Sequence, residues 1–445
     1  MTDLASPSER RVWAEGGAVS LCVLLDTPNI RGDVAAAGLP ARVIEFNRHL
    51  AEQLAQVNFV LCDRGLVDAE LRRWPFRSLL VPPSIYYGHP RIVGRFVSEV
   101  FGHVDFVVAS DSSSVLKHAD VLSSQINANL VYELHDDESR LASQSGLSKA
   151  EVAAVSRIQT AACRRAHYTI VTAPAEYELA TSRIGLPSER VFLCRSGVEC
   201  RKLAPLPASL MTDTVTFLGN LYYEPNAQAV RHLVQNIMPK VRLERPSASL
   251  RLVGRVPDDL RRLGSGLPWV TFTGFVEDIR LALAGTSVAT APLTAGAGTK
   301  MKTLTYAALA LPIVGTAEAF AGLEPLGHVG LVDSDHACAK AIVELLQSPQ
   351  RCRLWGDQNR RIVEMHFDWS QLATSALKRL DSWRGAECVR AVKRRPAYQK
   401  PVPEPMWLQE LAGKGAFRPA GQAGFDRIGV VERGVVEWYD AGALA

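Results

Sequence analysis

Short, nearly uninterrupted apolar runs alternate along this chain with longer stretches in which apolar residues recur every three or four positions. The runs read as strands buried on both faces and the stretches as amphipathic helices, so the alternation predicts parallel α/β units. Buried strands are expected at Val19–Leu25, Asn58–Cys62, Ser78–Val81, Val104–Ala109, Ala128–Glu133 and Tyr168–Thr172. Helices are expected at Ala41–Gln56, with Val43, Phe46, Leu50 and Leu54 on one face, and at Ser148–Arg165. A second series opens near Thr214, with strands at Val215–Leu218, Ser249–Val253, Val270–Thr273, Ser287–Ala291, Ile313–Gly315 and Gly330–Val332. Asn226–Val241 and Lys300–Leu311 carry helical periodicity between them.

Lys202–Asp213, with two prolines and little periodicity, separates the two series and reads as a linker. The fold class expected is therefore α/β: two Rossmann-like domains facing a central cleft, followed by a C-terminal extension. The segments are 1–201, the linker 202–213, a second domain 214–366, a crossing segment 367–383 and an extension 384–445. In open parallel sheets ligands bind beyond the carboxyl ends of the strands, so loops that follow strands are where a site belongs. Periodicity fades from about Arg384; Arg390–Pro405 is basic and proline-containing, and Phe425–Tyr439 has the pattern of a hairpin without a placement.

At 445 residues the chain exceeds one hydrophobic core. Its 47% apolar and 22% charged residues are those of an ordinary globular protein, and a net charge of +4 argues against a dedicated nucleic-acid binder. The eight cysteines include no C-x-x-C pair, and several sit in apolar runs, which fits buried thiols better than disulfides or a zinc site. Met1–Glu15 lacks the basic-then-apolar order of a secretory signal, and no apolar stretch approaches the roughly 20 residues that span a bilayer, so a cytoplasmic location is expected. Arg72-Arg-Trp-Pro-Phe-Arg77 mixes basic and aromatic residues; a partly buried turn is the expected reading, and a weak peripheral membrane contact the alternative.

The most informative segment runs from Ala289 to Gly315: a strand, then Thr294-Ala-Gly-Ala-Gly-Thr-Lys-Met-Lys302, a helix, Pro312 and another strand. Gly296 and Gly298 permit backbone geometry and close approach that a Cβ resists. A helix starting near Thr299 directs its unpaired N–H groups and positive dipole end at that loop, which makes an anion site, and Lys300 and Lys302 add positive charge. A glycine pair alone also occurs in plain strand-to-helix turns. No nucleophilic serine elbow, metal-ligand cluster or nicotinamide-type G-x-G-x-x-G after the first strand is found, and Asp333-Ser-Asp335 reads as a helix cap, so no metal is assigned.

Gly296-Ala-Gly-Thr-Lys-Met-Lys-Thr-Leu-Thr-Tyr-Ala-Ala-Leu-Ala-Leu-Pro-Ile-Val314 resembles the donor-site signature of family-4 retaining glycosyltransferases with the GT-B fold. Phe217-Leu-Gly-Asn220, Glu224-Pro-Asn226, Leu252-Val-Gly254 and Thr273-Gly-Phe-Val-Glu-Asp278 extend the resemblance over about Thr214 to Trp383. Val131-Tyr-Glu-Leu-His-Asp136, Cys194-Arg-Ser-Gly-Val-Glu199 and Phe367-Asp-Trp-Ser370 match it more loosely. The resemblance implies an N-terminal acceptor domain and a C-terminal nucleotide-sugar domain. It implies a hexosyltransferase that moves a sugar from a nucleoside diphosphate-sugar to an acceptor the sequence does not identify, with retention. No further cofactor is implied.

Carried over residue by residue, Gly219, Asn220, Gly296, Ala297, Gly298, Thr299, Lys300 and Thr305 would bind the donor, with Phe275 and Val276 beside its base. Lys302 would stabilise the leaving diphosphate, His135 would position the sugar and Asp136 would meet the acceptor. The sequence departs from the pattern where the glutamate that contacts the donor ribose is Thr305, its alanine neighbour is Tyr306 and the glycine before proline is Ala310. A threonine hydroxyl replaces only part of a carboxylate's hydrogen bonding, at a loss on the order of 1.5–3 kcal/mol. The alternative reading is thus a non-catalytic GT-B-fold binding or regulatory protein. Sugar, base and oligomeric state are not legible.

Overall fold

The computed structural model describes residues 18–27, 42–53, 55–63, 74–144, 146–205, 212–296, 299–326, 330–384, 427–432 and 435–440. Contacts divide the described residues into one unit that runs to Cys194 and resumes at Ala373, and another of Arg195–Leu372.

The first unit is built on β1 (Ser20–Thr27), β2 (Gln56–Asp63), β3 (Arg77–Val81), β4 (Phe106–Ala109), β5 (Asn129–Leu134), β6 (Tyr168–Val171) and β7 (Val191–Leu193). These pair in parallel in the order β3-β2-β1-β4-β5-β6-β7. Parallel strands need both faces covered, and the runs comply: Leu24, Val60, Val81, Val107 and Leu130 join one buried cluster with Val97 and Ala162 from the helices. Ser148 and Glu151 form a reciprocal capping box that fixes the start of the helix Lys149–Arg165.

The second unit carries β8 (Thr214–Leu218), β9 (Ser249–Val253), β10 (Val270–Gly274), β11 (Thr286–Ala291) and β12 (Ile313–Gly315), all parallel in the order β10-β9-β8-β11-β12. Both sheets therefore share one device. Successive strands step outward on one side, then the chain returns to the other side of the first strand, so direction reverses between β1 and β4 and between β8 and β11. Two such doubly wound α/β units are the Rossmann-like pair expected from the alternation.

The extension does more than trail. β13 (Arg427–Glu432) and β14 (Val435–Asp440) form an antiparallel hairpin, and β13 pairs antiparallel with β3 through Gly429↔Leu80, Val430↔Leu79 and Val431↔Ser78. The hairpin covers the hydrogen-bonding edge that β3 would otherwise expose and buries Ile428 and Val431. The helix Trp369–Arg384 begins in the second unit, and its residues from Ala373 onward group with the first. Among the described residues no helix is long and apolar enough to cross a membrane.

Some expectations shift. β7 lies inside an apolar run that the pattern did not resolve as a strand. Gly330–Val332 does not form a ladder: Gly330 has φ +77, a Cβ there would lie 1.8 Å from the Ile313 carbonyl oxygen, and one bridge, Gly315↔Leu331, remains. Trp74 and Phe76 are buried against the Phe59 ring, with centroids 4.9 and 4.7 Å away, so these aromatics belong to the core and not to a membrane contact; Arg72 and Arg73 lie outside the described residues. Lys393-Arg-Arg395 and Cys388 also lie outside them, and the seven described cysteines are buried.

Ala310, which precedes β12, sits at φ +54, where an L side chain is strained, and Gly356 packs on its carbonyl so closely that a Cβ would come within 1.9 Å. Ala310→Gly should relieve that strain at the cost of a looser unfolded chain, a net gain of about 0.5–1 kcal/mol. Urea denaturation is expected to show a higher midpoint for the variant; an unchanged or lower midpoint contradicts the strain.

Candidate functional site

At the reversal in the second sheet, β8 and β11 part. Their ladder ends at Ala289↔Thr216, and the Tyr306 hydroxyl fills the gap. It accepts the Leu218 N–H at 2.6 Å and donates to the Thr290 carbonyl at 3.5 Å, from a fully buried ring. The substitution that looked like a departure from the family pattern is thus a side-chain rung holding two strands where their main chains no longer meet. The loops after β8 and β11 leave the sheet on either side of it, where open α/β sheets place ligands.

The loop after β8 is held by close backbone approach. Gly219 donates to the Val253 carbonyl at 2.9 Å, Leu221 to Arg255 at 2.9 Å and Gly254 to Gly274 at 3.0 Å. Gly254, at φ +132, could not carry a Cβ, which would fall 1.9 Å from the Gly219 oxygen. Gly219 itself faces side chains: a Cβ there would lie 2.8 Å from Asn226 Nδ2 and 3.1 Å from Lys302 Nζ. Asn220 accepts from Asn226 Nδ2 on its carbonyl at 2.8 Å and from the Tyr222 amide on Oδ1 at 3.2 Å.

The loop after β11 delivers the cations. Gly296, at φ +147, lies against the Lys300 side chain, and Ala297 and Gly298 fall outside the described residues. Thr299 Oγ1 is buried with no hydrogen-bond partner among the described residues. The helix Met301–Ala308 follows with no side-chain cap: Met301 N donates to Thr299 O at 3.0 Å and Thr303 N to Lys300 O at 2.9 Å. A helix start left uncapped, beside an orphaned hydroxyl, is equipped to receive acceptor oxygens.

The two lysines are held differently. Lys300 is buried and paired with Glu318 at 2.9 Å. Lys302 donates to Asn226 Oδ1 at 2.5 Å and lies over the Phe217 ring, 4.2 Å from its centroid, with no carboxylate partner among the described residues. Burial, then the nearby Lys300 charge, pull the Lys302 ammonium down to about 7. One ammonium is paired with a carboxylate, and the other is held by neutral groups alone.

Thr305 is buried, and its hydroxyl donates to the Met301 carbonyl at 2.9 Å, so its proton is committed within its own helix. Phe275 and Val276 follow β10; Phe275 is exposed under the Arg255 guanidinium, 5.7 Å from its centroid, while Val276 packs on the core. The second unit thus brings Gly219, Asn220, Gly296, Thr299, Lys300 and Lys302 to one reversal point.

His135 and Asp136 lie in the first unit, at the carboxyl end of β5. Thr172 donates to the His135 carbonyl and Gln159 to the Asp136 carbonyl, both at 2.8 Å. His135 Nε2 is buried 3.5 Å from Glu133 Oε2. Burial brings the imidazole down to about 4 against the opposing pull of Glu133, so the ring is neutral at physiological pH. Burial alone would raise Glu133; the charge and hydrogen bond of Arg42, whose Nε donates to Oε1 at 2.7 Å, outweigh it and keep the carboxyl below its usual range. Asp333-Ser-Asp335 acts as a cap: Ser334 accepts from Ala337 N, and Asp335 accepts from His232 and Asn236.

Sequence reasoning missed Asn226 as the seat of Lys302, Phe217 beneath it, Glu318 beside Lys300 and the Arg42–Glu133 pair behind His135. Asn226 was within reach, standing just inside the helix after a strand-end glycine. Glu318 was not, since it meets Lys300 through the neighbouring strand-to-helix connection.

Residues 212–348 match the sequence family described as glycosyl transferases group 1. No curated protein matches the chain. Among solved structures, Anabaena HepE in complex with UDP superposes with a TM-score of 0.63 at 17% identity, covering 82% of this chain and 100% of its own. A glycosyltransferase from Rickettsia africae gives 0.63 at 10% identity, covering 82% and 98%. A trehalose-6-phosphate protein from E. coli bound with UDP-2-fluoro glucose gives 0.58 at 11% identity, covering 82% and 99%. At these identities the structural likeness establishes the fold, which is GT-B.

Two outcomes follow from the geometry. Tyr306→Phe leaves the Leu218 N–H buried without its acceptor, so chemical denaturation should report a loss of about 1–3 kcal/mol; no loss would mean the hydroxyl is not a structural rung. Pyrophosphate should bind best when Lys302 is protonated. Calorimetry from about pH 6 to about pH 9 should show affinity falling by up to about tenfold per unit above the lysine's value, beyond any trend left in Lys302→Met. Parallel pH profiles for the two proteins would contradict it.

Proposed function

We propose that this GT-B-fold protein is a glycosyltransferase that moves a sugar from a nucleoside diphosphate-sugar to an acceptor, with retention at the anomeric carbon. The observation that carries the proposal is the meeting of Lys302 and Gly219 at the β8/β11 reversal, with an uncapped helix start and the unpartnered Thr299 hydroxyl beside them. The group 1 glycosyltransferase match over the same residues supports it. Neighbours of this fold hold UDP, UDP-glucose and UDP-2-fluoro glucose, which favours a UDP-sugar as donor.

Breaking the bond between sugar and diphosphate leaves negative charge on the departing oxygen. Loop amides, the helix start and the Lys302 ammonium are fixed before that charge appears, so their stabilisation needs no reorganisation as it grows. Lys302 is held by a neutral amide and a ring face, so no carboxylate has to be displaced first. In the first unit, neutral His135 would serve as a hydrogen-bonding group that positions the sugar, with Asp136 toward the acceptor. A same-face displacement requires no protein nucleophile, which is the route to retention we favour. A purely binding role, the other reading of Thr305, has no observation of its own in its favour.

Transfer to water or an acceptor from UDP-glucose and other nucleotide sugars tests the proposal. Lys302→Ala should lower kcat/KM by about tenfold to a hundredfold with the fold unchanged, the loss of one charged interaction. Thr305→Glu should tighten donor binding by roughly tenfold through a carboxylate that threonine lacks. Activity indifferent to Lys302 would overturn the site assignment.

A further inference from the structure

Glu318 is the carboxylate that the β11 loop borrows from elsewhere. It stands on the short helix Ala317–Phe320 after β12, where two contacts fix its element against the loop and its helix. The Thr316 hydroxyl donates to the Leu293 carbonyl, and the Thr303 hydroxyl donates to the Ala319 carbonyl at 2.8 Å. Glu318 Oε1 takes the Lys300 ammonium at 2.9 Å, and a Cβ built on Gly296 would lie 3.3 Å from Lys300 Nζ and 3.5 Å from that same oxygen. The pair therefore lies directly against the first glycine of the loop.

Three features set Glu318 apart from an ordinary ion-pair partner. Lys300 is buried, yet the Glu318 side chain keeps 21% of its surface exposed. Its second oxygen, Oε2, makes no hydrogen bond among the described residues. Finally, a carboxylate oxygen and a phosphate oxygen are both acceptors, so the open Oε2 suits a ligand group that donates and not a phosphate. A carboxylate accepts hydrogen bonds only, and the neutral donors of a nucleotide sugar are the hydroxyls of its transferred sugar and ribose and the N–H groups of its base; only the first are absent from the bare diphosphate, which is what a comparison of the two ligands reads.

We propose that Glu318 accepts hydrogen bonds from the hydroxyl groups of the donor's sugar and so sets sugar specificity, with Lys300 as the residue that positions it. The proposal rests on the nucleotide-sugar reading above. It assigns the two lysines different tasks: Lys302 faces the diphosphate, and Lys300 holds the carboxylate that reads the sugar.

The test is a ratio. Calorimetric affinities of the full chain for UDP and UDP-glucose, and for GDP and GDP-mannose, give for each sugar the factor it adds to its bare diphosphate. In Glu318→Gln, binding of the preferred bare diphosphate is expected to hold or tighten, while the sugar-bearing form weakens by about tenfold relative to it. Glu318→Asp keeps the charge beside Lys300 but draws the carboxylate back, and should show a smaller loss in the same ratio. A ratio unchanged in both variants, or an equal loss for diphosphate and nucleotide sugar, overturns the role of Glu318 and leaves it as a prop for Lys300. A wild-type protein that binds none of the four ligands overturns the nucleotide-sugar reading itself, and this inference with it.

Discussion

The parting of β8 from β11 is the constraint on which the rest of the second unit depends. A parallel sheet whose chain direction reverses must leave a gap between two strand ends, and the main chain alone leaves polar groups there unpaired. Here the Tyr306 hydroxyl spans the gap, accepting from Leu218 and donating to Thr290. The same tyrosine lies in the helix that starts with Met301, so it ties the position of the Lys302 backbone to the two strands it bridges. Glycines at 219 and 254 then let the β8 and β9 loops close on each other, and the Lys302 ammonium comes to rest where Gly219 has no side chain.

Electrostatics divides what geometry brings together. Two ammonium groups two residues apart repel, and each needs a different remedy. Lys300 is given a carboxylate; Lys302 is given an amide oxygen and a ring face, which hold a cation without cancelling it. Burial, and then the Lys300 charge, lower the hold of Lys302 on its proton, so a negative charge placed beside it would raise that hold again. In the first unit the logic runs the other way: Arg42 satisfies Glu133, and the His135 ring beside them stays neutral.

Much of this was legible in the residues. Apolar runs located nearly every strand because parallel strands buried on both faces leave no other pattern, and the glycine-lysine loop between two of them marked the connection that brings Lys300 and Lys302 to the reversal of the second sheet. The strand expected at Gly330–Val332 failed because Gly330 takes a left-handed turn there. The hairpin at the C-terminus was visible as a pattern, but its partner β3 is more than 300 residues away, a pairing no local signal encodes. Tyr306 and Ala310 looked like losses. In three dimensions one is a rung, and the other bends its backbone as a glycine would. Glu318 was invisible because its meaning lies in a contact between two strand-to-helix connections.

The central claim is that a diphosphate is gripped at the β8/β11 reversal by the loop before Met301 and by Lys302. A crystal structure of the protein with UDP measures this directly. Diphosphate oxygens should lie within about 3 Å of Lys302 Nζ and of backbone amides at the start of the helix Met301–Ala308, with Thr299 Oγ1 gaining its missing partner. Nucleotide bound away from Gly219 and Lys302, or a diphosphate met by neither, would contradict the account.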